Sequence, residues 1–460
     1  MSYRNLGALV LLLLASPVVS GVRSSLAFEN PQQVLRYDLG HEPQSSRIHK
    51  CTLRALGGDQ DDSDNLVKAV EQCGTNGVIT LPDPIYNIGK VLNLTLSNCY
   101  VDLHGFLKYS DDIEYWIHNV WTIPALQNQS LGLSFLGNDF VLDGNNVGGV
   151  DGNGQVWYTW SKGAGNVPGR PMTLSLVEAK NVIVKDFSVI QPQFWAHLTV
   201  DAENVLYKNC YVNATNSDPD ASGDPKSWLL NTDGADTWRS HNITFENFVY
   251  QGGDDCISFK PNSTMITVRN VTCVGTTGLA FGSIGQYPGV TDIIEDVYIE
   301  DAKFYPSPQC LGFRAIEFKS WVGVPYGIPP NGGGGGSGYG RNVTIKNVYV
   351  EDIYFPIYLQ SDLTYTASQR GLHEDTSKFL WSDIHLYNFT GTAAGDRIVD
   401  FTCSKSAPCF DITFEDINIK PRTDRHPELN YVCNNVVLGP NDGLNECHPG
   451  NSSLQTVAPF

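Results

Sequence analysis

Across the second half of the chain, aliphatic and polar positions alternate in a short unit that returns many times. The unit opens on Asn or Asp, alternates aliphatic with polar residues, and closes on a second Asn or Asp followed by another apolar residue. It reads NVIVKDF from Asn181, NVLYKNC from Asn204, NITFENF from Asn242, MITVRNV from Met265, NVTIKNV from Asn342, DIHLYNF from Asp383 and DITFEDI from Asp411; a degenerate copy, DIIEDVY, begins at Asp292. β-Branched residues alternating with polar ones predict strands with one buried face. Each strand is too short to be stable alone, and stacking self-similar strands buries a continuous core. The second Asn or Asp falls at Asp186, Asn209, Asn247, Asn270, Asp296, Asn347, Asn388 and Asp416, at intervals of 23, 38, 23, 26, 51, 41 and 28 residues. The short intervals fit single coils of a parallel β-helix; the long ones fit inserted loops or an extra weak coil. Asn suits the corners because it tolerates left-handed backbone and bonds locally. A β-sandwich also has regularly spaced strands, but it does not require them to resemble one another. The reading is all-β, with helix scarce. Its exception is DSDNLVKAVEQCG, Asp62 to Gly74, where Asp64 can cap a helix carrying Leu66, Val67 and Val70 and Gly74 can end it. Such a helix would cover one open end of the solenoid.

The ends and the composition set the compartment. Residues 1–20 read as a secretory signal peptide: Arg4 is the basic start, LGALVLLLLA from Leu6 to Ala15 the apolar run, and Val18 and Ser20 the small cleavage positions. That run is too short to span a bilayer, and no later stretch approaches the necessary length. Residues 21–460 are expected to form a single domain, since NGGGGGSGYG, Asn331 to Gly340, is too short for a linker and reads as a flexible loop. In an oxidising compartment the 11 cysteines read as disulfides. Cys256–Cys273, Cys403–Cys409 and Cys433–Cys447 are the easiest local pairs, and the odd count leaves at least one thiol free. Nine sequons, at Asn93, Asn128, Asn213, Asn242, Asn262, Asn270, Asn342, Asn388 and Asn451, predict some glycosylation. With 30 basic against 49 acidic residues, a formal charge of −19 and no basic run, nucleic acid is excluded as a partner. An anionic substrate is repelled at long range, so a few local Lys or Arg residues must hold it. Solubility explains most of the acidity. A monomer is expected, without membrane association.

Two acidic motifs stand apart from the repeat: NTDG, Asn231 to Gly234, and GGDDC, Gly252 to Cys256. Asp233 precedes Asp254 by about one coil, so Asp233, Asp254 and Asp255 converge if the solenoid is right. Neighbours on a straight strand point to opposite faces; Asp254 and Asp255 share a site only at a bend, which Gly252 and Gly253 allow. Glycoside hydrolysis uses one protonated carboxyl to donate to the leaving oxygen and one ionised carboxylate to activate water. Crowded like charges raise at least one pKa, so the cluster can hold both forms at once. A turn cap at Asp233, or calcium between Asp254 and Asp255, would be the reading for an isolated pair. The coil-length spacing favours catalysis.

These motifs on a solenoid with Asn-rich turns resemble the polygalacturonase-like glycoside hydrolases. The match covers about Asp151 to Asp416 and includes VDGNGQVWY from Val150, NTDGADTW from Asn231, GGDDCISFKPNS from Gly252 and GSIGQYPG from Gly282. The resemblance implies a single right-handed parallel β-helix, hydrolysis with inversion, no metal and no cofactor, Asp254 as general acid, and Asp233 with Asp255 holding the water. The substrate it implies is a pectic polysaccharide or oligosaccharide, bound by Asn231, Thr277, Gln286, Arg314, Glu317 and Lys319. FKPNS, GSIGQY and the Gly-rich loop look like the exo-acting branch. Two positions depart from the family. Its Gly-His-Gly is Thr276-Thr277-Gly278 here, and its Arg-Ile-Lys is Glu317-Phe318-Lys319. Thr277 can donate a hydrogen bond but cannot titrate near neutrality. Glu317 disfavours a galacturonate carboxylate and suggests a neutral sugar such as rhamnose on one side of the scissile bond, with Lys319 holding a galacturonate on the other. Alternatively Arg314, which a regular strand would turn to the other face, bulges into the cleft and substitutes. Galacturonic acid and rhamnose both stand as the released sugar. A polysaccharide lyase on the same architecture, and a decayed pectin-binding protein, are the other classes.

Overall fold

The computed structural model describes residues 47–218, 228–310, 312–422, 430–437 and Cys447. The signal peptide at 1–20 and the sequon at Asn451 lie outside the described residues. Among the described residues twenty-four strands join in one hydrogen-bonded system in which successive coils pair in parallel. This is the right-handed parallel β-helix expected.

The repeated units form one side of the solenoid. Strands such as His241–Gln251, Ser263–Val274, Thr291–Tyr305 and Ser337–Ile353 lie in register, coil on coil. The sequence alternation becomes burial alternation: Ile266, Val268, Val297, Ile299, Val343 and Ile345 are all buried in the core. Where each strand bends, an Asn or Asp takes the left-handed conformation, with φ of 54° at Asn209 and Asn247 and 53° at Asn270. Their side chains form a ladder. Asn209 Nδ2 donates to Asp186 at 2.7 Å, Asn247 to Asn209 at 2.9 Å and Asn270 to Asn247 at 2.7 Å. A second row runs Asp139, Asn181, Asn204, Asn242. The register corrects one assignment. Asn270 stacks on Asp301, between the pairs Arg269–Glu300 and Val271–Ala302, and Asn347 donates to Asp301. Asp296 belongs to the other row, where Asn342 donates to it. Asp301 escaped notice because the unit from Asp292 is degenerate. No extra coil is needed: Asn347 and Asp301 are 46 residues apart and in direct contact, so the long interval is an inserted loop.

A second set of strands makes the opposite wall: His197–Val200, Ala235–Trp238, Asp255–Phe259, Gly278–Ile284, Arg314–Trp321, Phe355–Leu363 and Arg397–Thr402. From His197 to Trp321 every residue in these strands is buried. One face turns into the solenoid and the other is also largely withdrawn from solvent, so the strands do not alternate as half-buried strands do. Inward, Phe281 and Phe318 stack with ring centroids 4.4 Å apart, and Phe259 meets Phe281 edge-on at 4.9 Å.

Helix α1, Ser63–Cys73, covers the end. Leu66 and Val70 face Ile79, Leu103, Phe135 and Phe187 in the first coils. Its N-cap is Asp62 rather than Asp64, which sits in the first turn. Asp62 instead accepts from the Leu56 and Asn87 amides, tying the leading loop to the next coil. Two further helices, Ile113–Asn119 and Gly154–Ser161, were not anticipated. The structure pairs Cys256 with Cys273, Cys403 with Cys409 and Cys433 with Cys447; it also pairs Cys51 with Cys73, which fastens α1 to the first strand. Cys99, Cys210 and Cys310 are free and buried. Of the described sequons, Asn93, Asn128, Asn270 and Asn388 are exposed, and Asn213, Asn242, Asn262 and Asn342 are half-buried. No helix of the described residues is long and apolar enough to cross a membrane.

Candidate active site

The outer face of the second wall carries the carboxylates. Asp233 lies in the turn before Ala235–Trp238, its carbonyl accepting from the Ala196 amide at 2.8 Å. One coil on, Asp254 closes a turn and Asp255 opens the strand Asp255–Phe259. The register against Gly278–Ile284 slips between Asp255 and Ile257, leaving Cys256 as a bulge. The bulge and the preceding glycine turn bring Asp254 and Asp255 to one site, as two neighbours on a straight strand would not be. Tyr250 braces this turn from beneath: its hydroxyl donates to the Thr232 carbonyl at 3.1 Å and accepts from the Asp254 amide at 3.0 Å. A Cβ on Gly252 would come within 2.2 Å of that hydroxyl, so only glycine fits. One oxygen of each of Asp233, Asp254 and Asp255 lies within 4.8 Å of the other two.

The three carboxyls differ in their partners. Asp255 accepts from Lys319 Nζ at 2.7 Å, from Thr277 Oγ1 at 2.5 Å and from Ser258 Oγ at 3.1 Å. Burial alone would raise its pKa, but Lys319, Lys260 and these donors outweigh burial and hold it below the usual value. Asp254, partly exposed, accepts from the Asn231 amide at 2.7 Å. Burial and then the Asp255 charge push it up to about 6, against the pull of that amide and the lysines. Asp233 is buried, and its Oδ1 has no partner among the described residues. Burial, then the charges of Asp236, Asp254 and Asp255, raise it well above the ordinary range. The arrangement holds an ionised carboxylate against carboxyls that retain protons.

The other expected contacts separate. Thr277 lies beside the cluster, 2.5 Å from Asp255 and 3.4 Å from Asp254, bridging the pair with one hydroxyl. Asn231 also faces it and accepts from the Asn166 amide through its side chain at 2.7 Å. Arg314 does not turn away: its Nε lies 3.5 Å from Glu317 and its guanidinium covers the Tyr358 ring at 4.7 Å. Glu317 therefore neutralises this cation. Lys319 is shared, 3.4 Å from Glu317 as well as 2.7 Å from Asp255. Gln286 is a brace. Its amide hydrogens go to the Pro330 and Gly332 carbonyls and its oxygen accepts from Gln127. The Gly-rich stretch is correspondingly pinned rather than free. The Gly334 amide donates to Gln286, and a Cβ on Gly333 would meet the Gln286 side chain at 2.3 Å.

Toward the preceding coils the outer face of this wall is closed by an apolar plug. Leu198, Val200 and Trp238 are buried against Leu126, Met172 and Trp195 from the preceding loops. From that plug, Gln127 bonds Gln286 and the Tyr287 hydroxyl, both at 2.7 Å, and Asn166 reaches Asn331 at 3.4 Å. Sequence reasoning missed two charged groups here, Asp236 and Lys260, 3.3 Å apart. Both lie in quoted motifs. Alternation continued past the Cys256 bulge puts Ser258 and Lys260 on the face of Asp255, and that was the available signal.

The comparisons agree with this geometry. The family model described as "Glycosyl hydrolases family 28" matches residues 138–439. A relative named "Putative galacturan 1,4-alpha-galacturonidase A", from Aspergillus flavus, is 46% identical over 399 residues, 83% of this chain and 91% of its own length. An alpha-L-rhamnosidase, rgxB, from Aspergillus niger is 33% identical over 389 residues, 84% of this chain and 87% of its own. The crystal structure of an endo-xylogalacturonan hydrolase from Aspergillus tubingensis superposes with a TM-score of 0.72 at 22% identity, covering 87% of this chain and 99% of that one. A parallel β-helix, a carboxylate cluster on its cleft wall and these relatives agree: the chain belongs to glycosyl hydrolases family 28 and is a pectin-degrading glycosidase.

Proposed function

We propose that the protein is a secreted, exo-acting enzyme that removes the terminal sugar of a pectic chain by hydrolysis of its α-glycosidic bond. The observation that carries this reading is the shut end of the cleft. A polymer cannot thread past a hydrophobic plug beside the carboxylates, so only a chain end reaches them. Asp254 is the general acid: it is the partly exposed carboxyl, and its pKa of about 6 keeps it protonated in mild acid. Asp255, held ionised by Lys319, and Asp233 hold the attacking water.

The test is product size. Galacturonan and rhamnogalacturonan oligomers should yield a monosaccharide from the first minutes, and early release of mixed oligosaccharides would overturn exo action. Inversion follows from the family resemblance and predicts that the β-anomer of the sugar released from an α-galacturonide appears first by NMR. An initial α-anomer would assign a covalent intermediate instead. Rhamnose release is the second reading, favoured by Glu317, whose carboxylate neutralises Arg314.

A further inference from the structure

The cations along the cleft are unequally spent. On the open side Arg314 and Lys319 meet Glu317 and Asp255 within 3.5 Å. Toward the shut end, Lys260 has one carboxylate, Asp236, at 3.3 Å, and neither Asp236 oxygen makes a hydrogen bond among the described residues. Burial raises the Asp236 carboxyl to about 7, against the pull of Lys260. Lys260 itself is about nine-tenths buried and lies over the Trp195 ring at 4.8 Å, on the plug. The indole nitrogen of Trp195 has no partner among the described residues, and it too is buried. Two donors therefore stand at that end of the site: a cation that meets a single carboxylate, and an indole N–H without an acceptor among the described residues.

We infer that Lys260 is the specificity-determining residue of the terminal subsite, where its ammonium binds the carboxylate of a hexuronate. The Trp195 indole N–H beside it can take a second oxygen. This deepens the exo reading and rests on it: the sugar that fits the shut end, and leaves, is a uronic acid and not a deoxyhexose. Glu317 then acts only on the far side of the scissile bond, so a neutral or poorly held residue there is compatible with a uronate leaving from here.

The experiment uses the full-length enzyme and two matched trisaccharides, trigalacturonate and the same molecule with galactose in place of its non-reducing terminal galacturonate. The wild type should favour trigalacturonate in kcat/KM. In Lys260→Met that preference should fall about 10- to 100-fold, the worth of a hydrogen-bonded charge pair, with most of the change in KM. Lys260→Arg should keep most of it. Circular dichroism confirms the fold of each variant, and Lys260→Gln serves if the methionine variant misfolds. A preference unaltered in folded Lys260→Met or Lys260→Gln, with trigalacturonate still clipped from its end, overturns this inference and leaves exo action standing. A wild type that clips neither trisaccharide, or releases only rhamnose from pectic oligomers, overturns the inference together with the galacturonate reading.

Discussion

The solenoid stacks polar side chains in two places, and they behave in opposite ways. At the bend, Asp186, Asn209, Asn247 and Asn270 lie one above another; Asn209 and Asn247 each donate to the coil before and accept from the coil after, and Asn270 donates to Asn247. On the cleft wall, Asp233 and Asp255 stack by the same coil-to-coil register, with Thr277 one coil further on. An amide is donor and acceptor at once, so a column of amides satisfies itself. A carboxylate only accepts, so a column of carboxylates needs protons or cations between its members, and its pKa values spread apart. Repetition of one geometry thus yields stability at one corner and acid–base chemistry at the other.

The comparison breaks most visibly at Asp254. Asp254→Asn should lower kcat by about 10³- to 10⁴-fold with little change in KM, measured as initial monosaccharide release. Above pH about 6 it also removes a like charge from the cluster, so there its melting temperature should not fall. Asp254 has an ordinary value of 3.8 and a folded value of about 6. A raised carboxyl contributes stability that is complete below 3.8 and lost as pH rises through about 6. Melting curves across that window should show the wild type losing stability relative to Asp254→Asn; parallel curves would contradict the assignment.

The ladder gives the reverse outcome. Asn247→Ala deletes one bond given and one received and leaves alanine at a φ of 54°. Together these should cost about 2 kcal/mol, read as a lower denaturation midpoint, while kcat and its pH profile stay as in the parent. A loss of activity without loss of stability would mean that the bend and the cleft are coupled.

The same contrast decided what could be read from the chain. Units such as NVTIKNV announce themselves because that wall is half-buried, and burial alternates with the residues. The cleft strands, Gly278–Ile284 and Arg314–Trp321 among them, are buried on both faces and carry no such rhythm, so they stayed hidden. The three aspartates were legible because motif spacing matched coil length. Lys260 was not, because its orientation depends on the Cys256 bulge. The bracing of Gln286 was not legible, because its partners, Gln127 and the Pro330 carbonyl, are 159 and 44 residues away in sequence. Whether a polar group faces substrate or a distant loop is a tertiary matter.

Thr277 tests how few donors the carboxylate column tolerates. Thr277→Val keeps the shape and removes the 2.5 Å bond to Asp255. That bond helps hold Asp255 low, so without it the carboxylate protonates at a higher pH. The acid limb of the rate profile should move upward, while the alkaline limb, set by the cluster's group near 6, stays. At the optimum kcat should fall about tenfold. A vertical drop with both limbs fixed would make Thr277 a packing residue only.

The smallest effect is expected at Glu317, where the cleft most nearly imitates the ladder. Glu317 takes Arg314 at 3.5 Å, Lys319 at 3.4 Å and the Gln360 amide at 3.2 Å, so donors and acceptor balance as they do at the bend. Glu317→Gln keeps the shape and removes the charge. Arg314 then stands without a counterion on the open side, and Lys319 is left to Asp255 alone. KM for galacturonan oligomers should fall about three- to tenfold, and kcat should change less, because the proton-bearing groups keep their partners. The gain should shrink with added salt, since it comes from an unpaired cation meeting an anionic chain. A rise in KM would show that Glu317 binds the sugar beyond the scissile bond directly, and that the open side is built for a neutral residue.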